Sequence, residues 1–426
     1  MTLRIQLLVR AAACCLVSLV GTAAHAQTMF LDHEAAVRSV VRTLRERLDL
    51  MEYVAAWKDA RKIPVEAPQR EREVLDATVM AAQRLGLEQE AARNLFELQI
   101  RLAREAQQEW IVDWRAGGAR PGVLRDLDTE LRPALDRLGE RLLGEIYLAL
   151  PELARTDFVS RYSAESLQLV TPGVDDKDAR DLIAALGRMR TTPGPLLPRI
   201  AASRMLRVAM TGDYAPFSLE RNGRVTGVDV ELSEALARSL GARAVIVRTS
   251  WPTLLDDYRA GLFDVAMSGI SVTPERAAVA RFSQPYHRGG KTAIVRCGRE
   301  ASFDTLPEID RSQVRVIVNP GGTNERFARE RLTHARLWIY PDNRTIFDEI
   351  VHDRADVMVT DDIEVELQTR RHPGLCRATA DVFSVADKAI LMPRDAALVD
   401  AVDRWLATQI ANGEVERRLE SALAGP

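Results

Sequence analysis

The sequence predicts a chain of two unlike parts: an all-helical half followed by an α/β half. Three observations carry this. From Phe30 to about Arg190 the chain is rich in Leu, Ala, Arg and Glu at helical spacing, with few glycines. From Leu206 onward, β-rich runs such as Leu206-Arg-Val-Ala-Met210 and Ala244-Val-Ile-Val-Arg248 alternate with helical stretches. Between them Thr191-Thr-Pro-Gly-Pro-Leu-Leu-Pro198 is rich in residues that continue neither helix nor sheet, so 191–199 is the expected linker.

At 426 residues the chain is long enough for two or three units that each bury a core. Its net charge of -3 comes without a basic block or an acidic tail, which speaks against a nucleic-acid partner. The N-terminus reads as an export signal over residues 1–26: Arg4 and Arg10 precede an apolar run from Ala11 to Ala24, and Ala24-His-Ala26 offers a cleavage point before Gln27. That run is short for a membrane span, so the expected location is periplasmic, with an uncleaved anchor as the alternative. Cys14 and Cys15 leave with the signal. The remaining pair, Cys297 and Cys376, is either one disulfide or two separate buried thiols.

Polar residues interrupt the apolar stripes of the helical half, expected over 27–190. Val40, Leu44, Arg47, Met51, Ala55 and Lys58 fall at successive offsets of three or four, so Arg47 and Lys58 project from an inward face. They lie about 16 Å apart along a helix axis, within reach of one compact dianion. The stripe Phe96, Ile100, Ala103, Gln107, Trp110 carries a similar intrusion, and so does Leu131, Ala134, Leu138, Arg141. Several inward polar groups are costly without partners, and a shared ligand accounts for them together. Any one alone reads more simply as a snorkelling side chain.

In order, Glu46-Arg47-Leu48, Val54-Ala-Ala-Trp-Lys58, Ile63-Pro-Val-Glu66, Arg70-Glu71, Gln99-Ile100, Gln107 and Arg141 resemble the exported branch of the all-helical chorismate mutases. The resemblance implies that Arg47, Arg70 and Arg141 clamp the carboxylates of chorismate. Lys58 would bind a carboxylate and the ether oxygen, and Gln107 would face that oxygen. Ala103 and Val74 stand where relatives place polar contacts. On its own, Arg70 also suits a solvated helix face.

Farther on, Arg207-Val-Ala-Met-Thr-Gly-Asp-Tyr-Ala-Pro-Phe-Ser218, Gly227-Val-Asp-Val-Glu231 and Thr273-Pro-Glu-Arg276 resemble periplasmic solute-binding proteins of the amino-acid type. This implies a two-lobed type II fold over 200–426, with lobe 1 at about 200–292 and 389–426 and lobe 2 at about 293–388. Within that superfamily, Thr249-Ser-Trp-Pro252, Met267-Ser-Gly-Ile-Ser271, Gly289-Gly-Lys-Thr292, Val318-Asn-Pro-Gly-Gly-Thr-Asn-Glu325, Pro341-Asp-Asn343 and Thr360-Asp-Asp-Ile-Glu364 resemble the cyclohexadienyl dehydratases. These convert prephenate to phenylpyruvate or arogenate to phenylalanine. The contexts of Cys297 and Cys376 share the likeness.

The resemblance implies roles for single residues. Arg276 and Thr323 would hold a substrate carboxylate, Ser271 and Asn319 would supply hydrogen bonds, and Trp251 would form an apolar wall. Asp213 reads either as a cleft residue or as a turn former. Glu364 would be the general acid, kept protonated by burial or by a neighbouring charge such as Asp361.

The expected function is therefore a bifunctional exported enzyme that makes prephenate and then consumes it. The competing expectation is an amino-acid receptor with a helical appendage. No cofactor or metal is expected, because neither reaction needs one and the histidines show no ligand spacing. The family resemblances also imply a homo-oligomer.

Overall fold

The computed structural model describes residues 28–163, 167–169 and 174–424. The expected signal, 1–26, lies outside them. Among the described residues no helix is long and apolar enough to cross a membrane.

The helical body is built from α1 (His33–Asp49), α2 (Met51–Ala60), α3 (Pro68–Arg84), α4 (Gln89–Arg115) and α5 (Arg132–Leu153). Asp32 caps α1 by accepting from the Ala35 amide at 2.9 Å. Only Leu50 separates α1 from α2, and its backbone stays near-helical, with the Val54 amide donating to its carbonyl. The inward stripe therefore runs on from Arg47 to Lys58. α1 lies along α5, while α3 and α2 pack on α4. Val40, Leu44, Leu95, Phe96, Leu142, Ile146 and Tyr147 fill the space between. A π-helical turn, Leu127–Leu131, runs directly into α5. Such widened turns re-aim the side chains beside them.

The α/β body has two lobes, each with a five-stranded sheet. In lobe 1 the order is Arg243–Arg248, Met205–Met210, Val265–Ala266, Leu391–Met392, Arg281–Phe282. In lobe 2 it is Arg336–Ile339, Arg315–Val318, Val357–Asp361, Lys291–Arg296, Leu375–Arg377. The chain passes between lobes through an antiparallel ribbon, His287–Gly289 against Ala386–Lys388. Lys291 and Thr292 thus belong to the lobe 2 sheet, a few residues from the expected boundary. Cys297 and Cys376 are joined as a disulfide at a Cα separation of 4.8 Å, linking the ends of two neighbouring lobe 2 strands.

Two segments tie the bodies together in ways the composition did not indicate. The proline-rich stretch is no free tether: Thr191 bridges to Leu87, and Leu196–Ser203 is a helix. Pro195 is its N-cap and Pro198 lies in its first turn, where no backbone N–H is needed. Residues 28–31, expected with the helical unit, join lobe 1 instead. The Leu31 amide donates to the Ile246 carbonyl at 2.7 Å, and Phe30 lies under Arg248 at 3.8 Å. At the seam Tyr147 of α5 is fully enclosed, with the Arg207 guanidinium 4.6 Å from its ring centre and Arg207 ion-paired to buried Asp264 at 2.8 Å.

Candidate active sites

The helical body holds a cavity of about 410 Å³ whose walls include Arg47, Lys58, Arg70, Gln107, Phe96 and Arg132. That size suits a small organic ligand. Arg47 donates Nε–H to Gln99 Oε1 and Nη1–H to the Leu135 carbonyl, both at 2.8 Å, and its guanidinium lies 5.2 Å from the centre of Phe96. It has no carboxylate partner among the described residues, and burial lowers it to about 10 despite the charge of Asp136. A side chain at residue 139 would press on this guanidinium: a Cβ there would stand 3.3 Å from Nη1, and the residue is Gly139.

Lys58 is only 7% exposed and donates to the Val65 carbonyl at 2.5 Å. Burial lowers its affinity for a proton, against the pull of Glu71. Arg70 is held by Asp136 at 2.6 Å. Gln107 donates to the Ala103 carbonyl at 2.9 Å, and its Oε1 is enclosed without a partner, as is Nε2 of Gln99. Arg47 and Lys58, desolvated without carboxylate partners among the described residues, and the unpaired Nε2 donor of Gln99 amount to a prepared anion site. Val74 and Ala103 line it as apolar wall.

Arg141 is a correction. It lies outside this cavity, 43% exposed, held by Thr43 at 3.0 Å, by Glu46 and, at 3.7 Å, by Glu145. Its stripe, Leu131, Ala134, Leu138 and Arg141, runs along one side of α5, whereas the side that faces the cavity carries Arg132, Leu135, Asp136, Gly139 and Leu143. Arg132, the first residue of α5, lines the cavity in its place. Its available signal was weak: a lone arginine just before Pro133.

The second site lies between the lobes, where strands of both sheets end. Trp251, Ser271, Asn319 and Thr323 meet there with Tyr214, Asn324, Asn343, Asp361 and Lys388. The remaining space is about 20 Å³, so the lobes are closed on one another. Lobe-to-lobe bonds hold this state: Tyr214 hydroxyl to Asp361 at 2.5 Å, Asn343 to the Asp213 carbonyl at 2.9 Å, and Arg326 to Glu275 at 2.7 Å. Within lobe 1, Gly269 admits the rings of Phe217 and Tyr214 at the cleft floor, since a Cβ there would sit 2.6 Å from the Tyr214 ring.

Asp361 carries the charge balance of this cleft. It accepts from Lys291 at 2.9 Å and Lys388 at 2.7 Å. Burial alone would raise its pKa, but the two ammonium groups outweigh that and hold it below the usual carboxylate range. Lys291 also donates to Thr323 at 2.9 Å and to Asn324, while Lys388 donates to Ser271 at 2.8 Å. Arg276 reaches the Ser271 carbonyl at 3.0 Å and is lowered to about 10, by burial first and Arg326 second. It borders an adjoining pocket that shares Trp251 and Gly322 with the cleft. Asp213 accepts from the Trp251 indole at 3.1 Å, which places it at the cleft rather than in a bare turn.

Glu364 opens the helix Asp362–Arg371 and is 2% exposed. Among the described residues its side chain is hydrogen-bonded by Thr360 alone. Burial raises it to about 8; the Thr360 hydroxyl works against the rise, and Asp361 adds to it less than burial does. Asp361 was expected as a possible cause of the shift. It contributes, but the two lysines share its charge, so desolvation dominates.

Lys291, Lys388, Tyr214 and Asn324 escaped the sequence reading as site residues. The signal was present for the lysines, each of which begins an apolar run: Lys291-Thr-Ala-Ile-Val295 and Lys388-Ala-Ile-Leu-Met392.

Known proteins resemble both parts. The family model of bacterial extracellular solute-binding proteins, family 3, matches residues 206–423, and that of chorismate mutase type II matches residues 38–108. Cyclohexadienyl dehydratase of Pseudomonas aeruginosa is 51% identical over 226 residues, 53% of this chain and 84% of the relative. The L-cystine-binding protein TcyJ of Escherichia coli is 25% identical over 238 residues, 55% of this chain and 88% of its own. Among solved structures, the ancestral amino acid-binding protein AncCDT-1, a precursor of cyclohexadienyl dehydratase, matches with a TM-score of 0.50 at 31% identity, covering 54% of this chain and 99% of its own. With a chorismate mutase segment ahead of a two-lobed body, the chain belongs to family 3 of the bacterial extracellular solute-binding proteins, in its cyclohexadienyl dehydratase branch.

Proposed function

We propose that this chain is a bifunctional exported enzyme: the helical body rearranges chorismate to prephenate, and the two-lobed body converts prephenate to phenylpyruvate. The observation that carries the second step is Glu364, a carboxyl enclosed against Thr360, next to the cleft residue Asp361, and raised to about 8. Binding an amino acid requires no proton donor. Dehydration with loss of carbon dioxide does, because the ring hydroxyl leaves only when protonated.

The first step is intramolecular and pericyclic, so it needs no nucleophile. Holding the diaxial conformer and stabilising charge on the breaking C–O bond suffices. In this reading Arg47, Arg70 and Arg132 take the carboxylates, Lys58 takes a carboxylate and the ether oxygen, and Gln107 faces that oxygen. Substrate displaces Asp136 from Arg70 and supplies the anion that Arg47 lacks.

In the cleft, Arg276, Thr323, Ser271 and Asn319 hold the side-chain carboxylate, Trp251 walls the ring, and Asp213 orients Trp251. Proton transfer from Glu364 and departure of carbon dioxide leave an aromatic ring. The reading extends to periplasmic residence after signal cleavage, to arogenate as a second substrate and to a homo-oligomer. Turnover of arogenate and sedimentation test the last two.

Supplying purified protein with chorismate and following phenylpyruvate tests the whole reading. Chorismate consumed with prephenate accumulating would overturn the second step alone. Ligands bound and returned unchanged would favour a receptor.

A further inference from the structure

A neutral Glu364 carries its proton on one of two oxygens. We propose that Thr360, aligned by Asn324 and Lys291, is a positioning residue that fixes the transferable proton of Glu364 on Oε1. This rests on the dehydratase reading of the cleft.

The inference follows from counting donors. Lys291 Nζ can only donate, so its contact with Asn324 Oδ1 sets the direction of that amide. Asn324 Nδ2 therefore faces the other way, toward Asn319 Oδ1 at 3.0 Å and Thr360 Oγ1 at 2.9 Å. Both amide hydrogens are spent. Thr360 Oγ1 receives one of them, so its own hydrogen points at its remaining neighbour, Glu364 Oε2. A neutral carboxyl has one hydrogen, and with Oε2 accepting, that hydrogen is on Oε1.

Oε1 makes no hydrogen bond among the described residues, and it is not one of the fully enclosed unpaired polar atoms. It is the oxygen left for substrate. In the step itself, the Oε1–H bond breaks and the proton goes to the ring hydroxyl. That oxygen leaves as water with the C–O electron pair. The electron pair of the ring–carboxylate bond enters the ring as carbon dioxide departs. The Glu364 carboxylate then regains a proton from solvent, and the relay returns it to the same oxygen.

The relay also tunes the acid. Asp361 and Asp213 push Glu364 upward together with burial, while the Thr360 hydroxyl and Lys291 pull it down. Tyr214 faces the same group from lobe 1 as a neutral phenol, raised well above its ordinary value by burial and by Asp361. Removing the hydroxyl alone therefore raises Glu364 further, and a change of packing alone does not.

The test uses the full chain with added prephenate, and chorismate turnover as the control for the helical body. Thr360→Val keeps the side-chain shape and removes the hydroxyl. We expect kcat for dehydration to fall about tenfold or more with KM changed by less than about twofold, and the alkaline limb of the pH profile to move upward. Thr360→Ser should restore both. Independently of turnover, the infrared carbonyl band of protonated Glu364, identified by its loss in Glu364→Gln, should move to higher frequency in Thr360→Val because the carbonyl oxygen loses its donor. An unmoved limb and an unmoved band in Thr360→Val, or a Ser variant no better than Val, overturns the proposal. Absence of phenylpyruvate from the parent chain would instead refute the dehydratase reading, while the infrared band would still report on the relay.

Discussion

The two cavities handle one ring with opposite electrostatic strategies. In the helical body Arg47 and Lys58 are desolvated cations without carboxylate partners among the described residues, around an open space of about 410 Å³. In the cleft the two lysines are already paired: Lys291 and Lys388 converge on Asp361, Arg276 is left for a substrate carboxylate, and about 20 Å³ remains. A rearrangement that makes and breaks bonds within one molecule needs fixed charge and no proton, so the first site stores unpaired positive groups. Expelling water needs a proton at the right atom. The second site therefore ties its lysines to Asp361 and keeps one carboxyl protonated.

The contrast breaks most sharply at Glu364. Glu364→Gln keeps the size and removes the acid, and dehydration of prephenate should fall by about a thousandfold while chorismate turnover is unchanged. Chorismate disappearance and phenylpyruvate formation from added prephenate read the two effects separately. Equal loss of the two activities would show that the sites are not independent.

Lys58→Ala is the mirror experiment. It should lower chorismate turnover by about a hundredfold or more and spare added prephenate. Arginine substitutions sharpen the description of the same cavity. Arg132→Ala should cost about tenfold or more in kcat/KM for chorismate, whereas Arg141→Ala should stay within about threefold. The reverse ranking would restore Arg141 to the clamp.

The sites should also differ in pH dependence. Glu364 must be protonated, so dehydration should decline as pH rises through about 8. Chorismate turnover should show no such limb there, because Gln107 is an amide that does not titrate. The smallest effect is on stability. A carboxyl raised from 4.5 to about 8 by folding lends stability that is present below its ordinary value and lost as pH rises through the folded one. Thermal melts of Glu364→Gln should therefore fall less steeply between those values than melts of the parent chain.

Much of this was legible before any coordinates. The division into halves followed from composition and hydrophobic period, because helices and strands bury their faces at different spacings. Arg47, Lys58 and Gln107 announced themselves as polar residues on apolar stripes, and they line one cavity. Arg141 misleads for a local reason: helical spacing alone does not fix which stripe of α5 faces the cavity, and the one that does carries Arg132, Leu135, Gly139 and Leu143. The linker misled because proline also suits the first turn of a helix, where the residues of Leu196–Ser203 use it.

The sequence by itself determined which chemistries are available: inward cations in one half, and an acid within a cleft motif in the other. These are properties of residue type and spacing, which the chain carries wherever it goes. Only the tertiary structure decided that Arg132 rather than Arg141 faces the cavity, and that Lys291 and Lys388 meet on Asp361. It also decided that burial, more than a neighbouring charge, raises Glu364. Desolvation and hydrogen-bond direction depend on what packs around a group from every side, and those neighbours come from segments far apart in the chain.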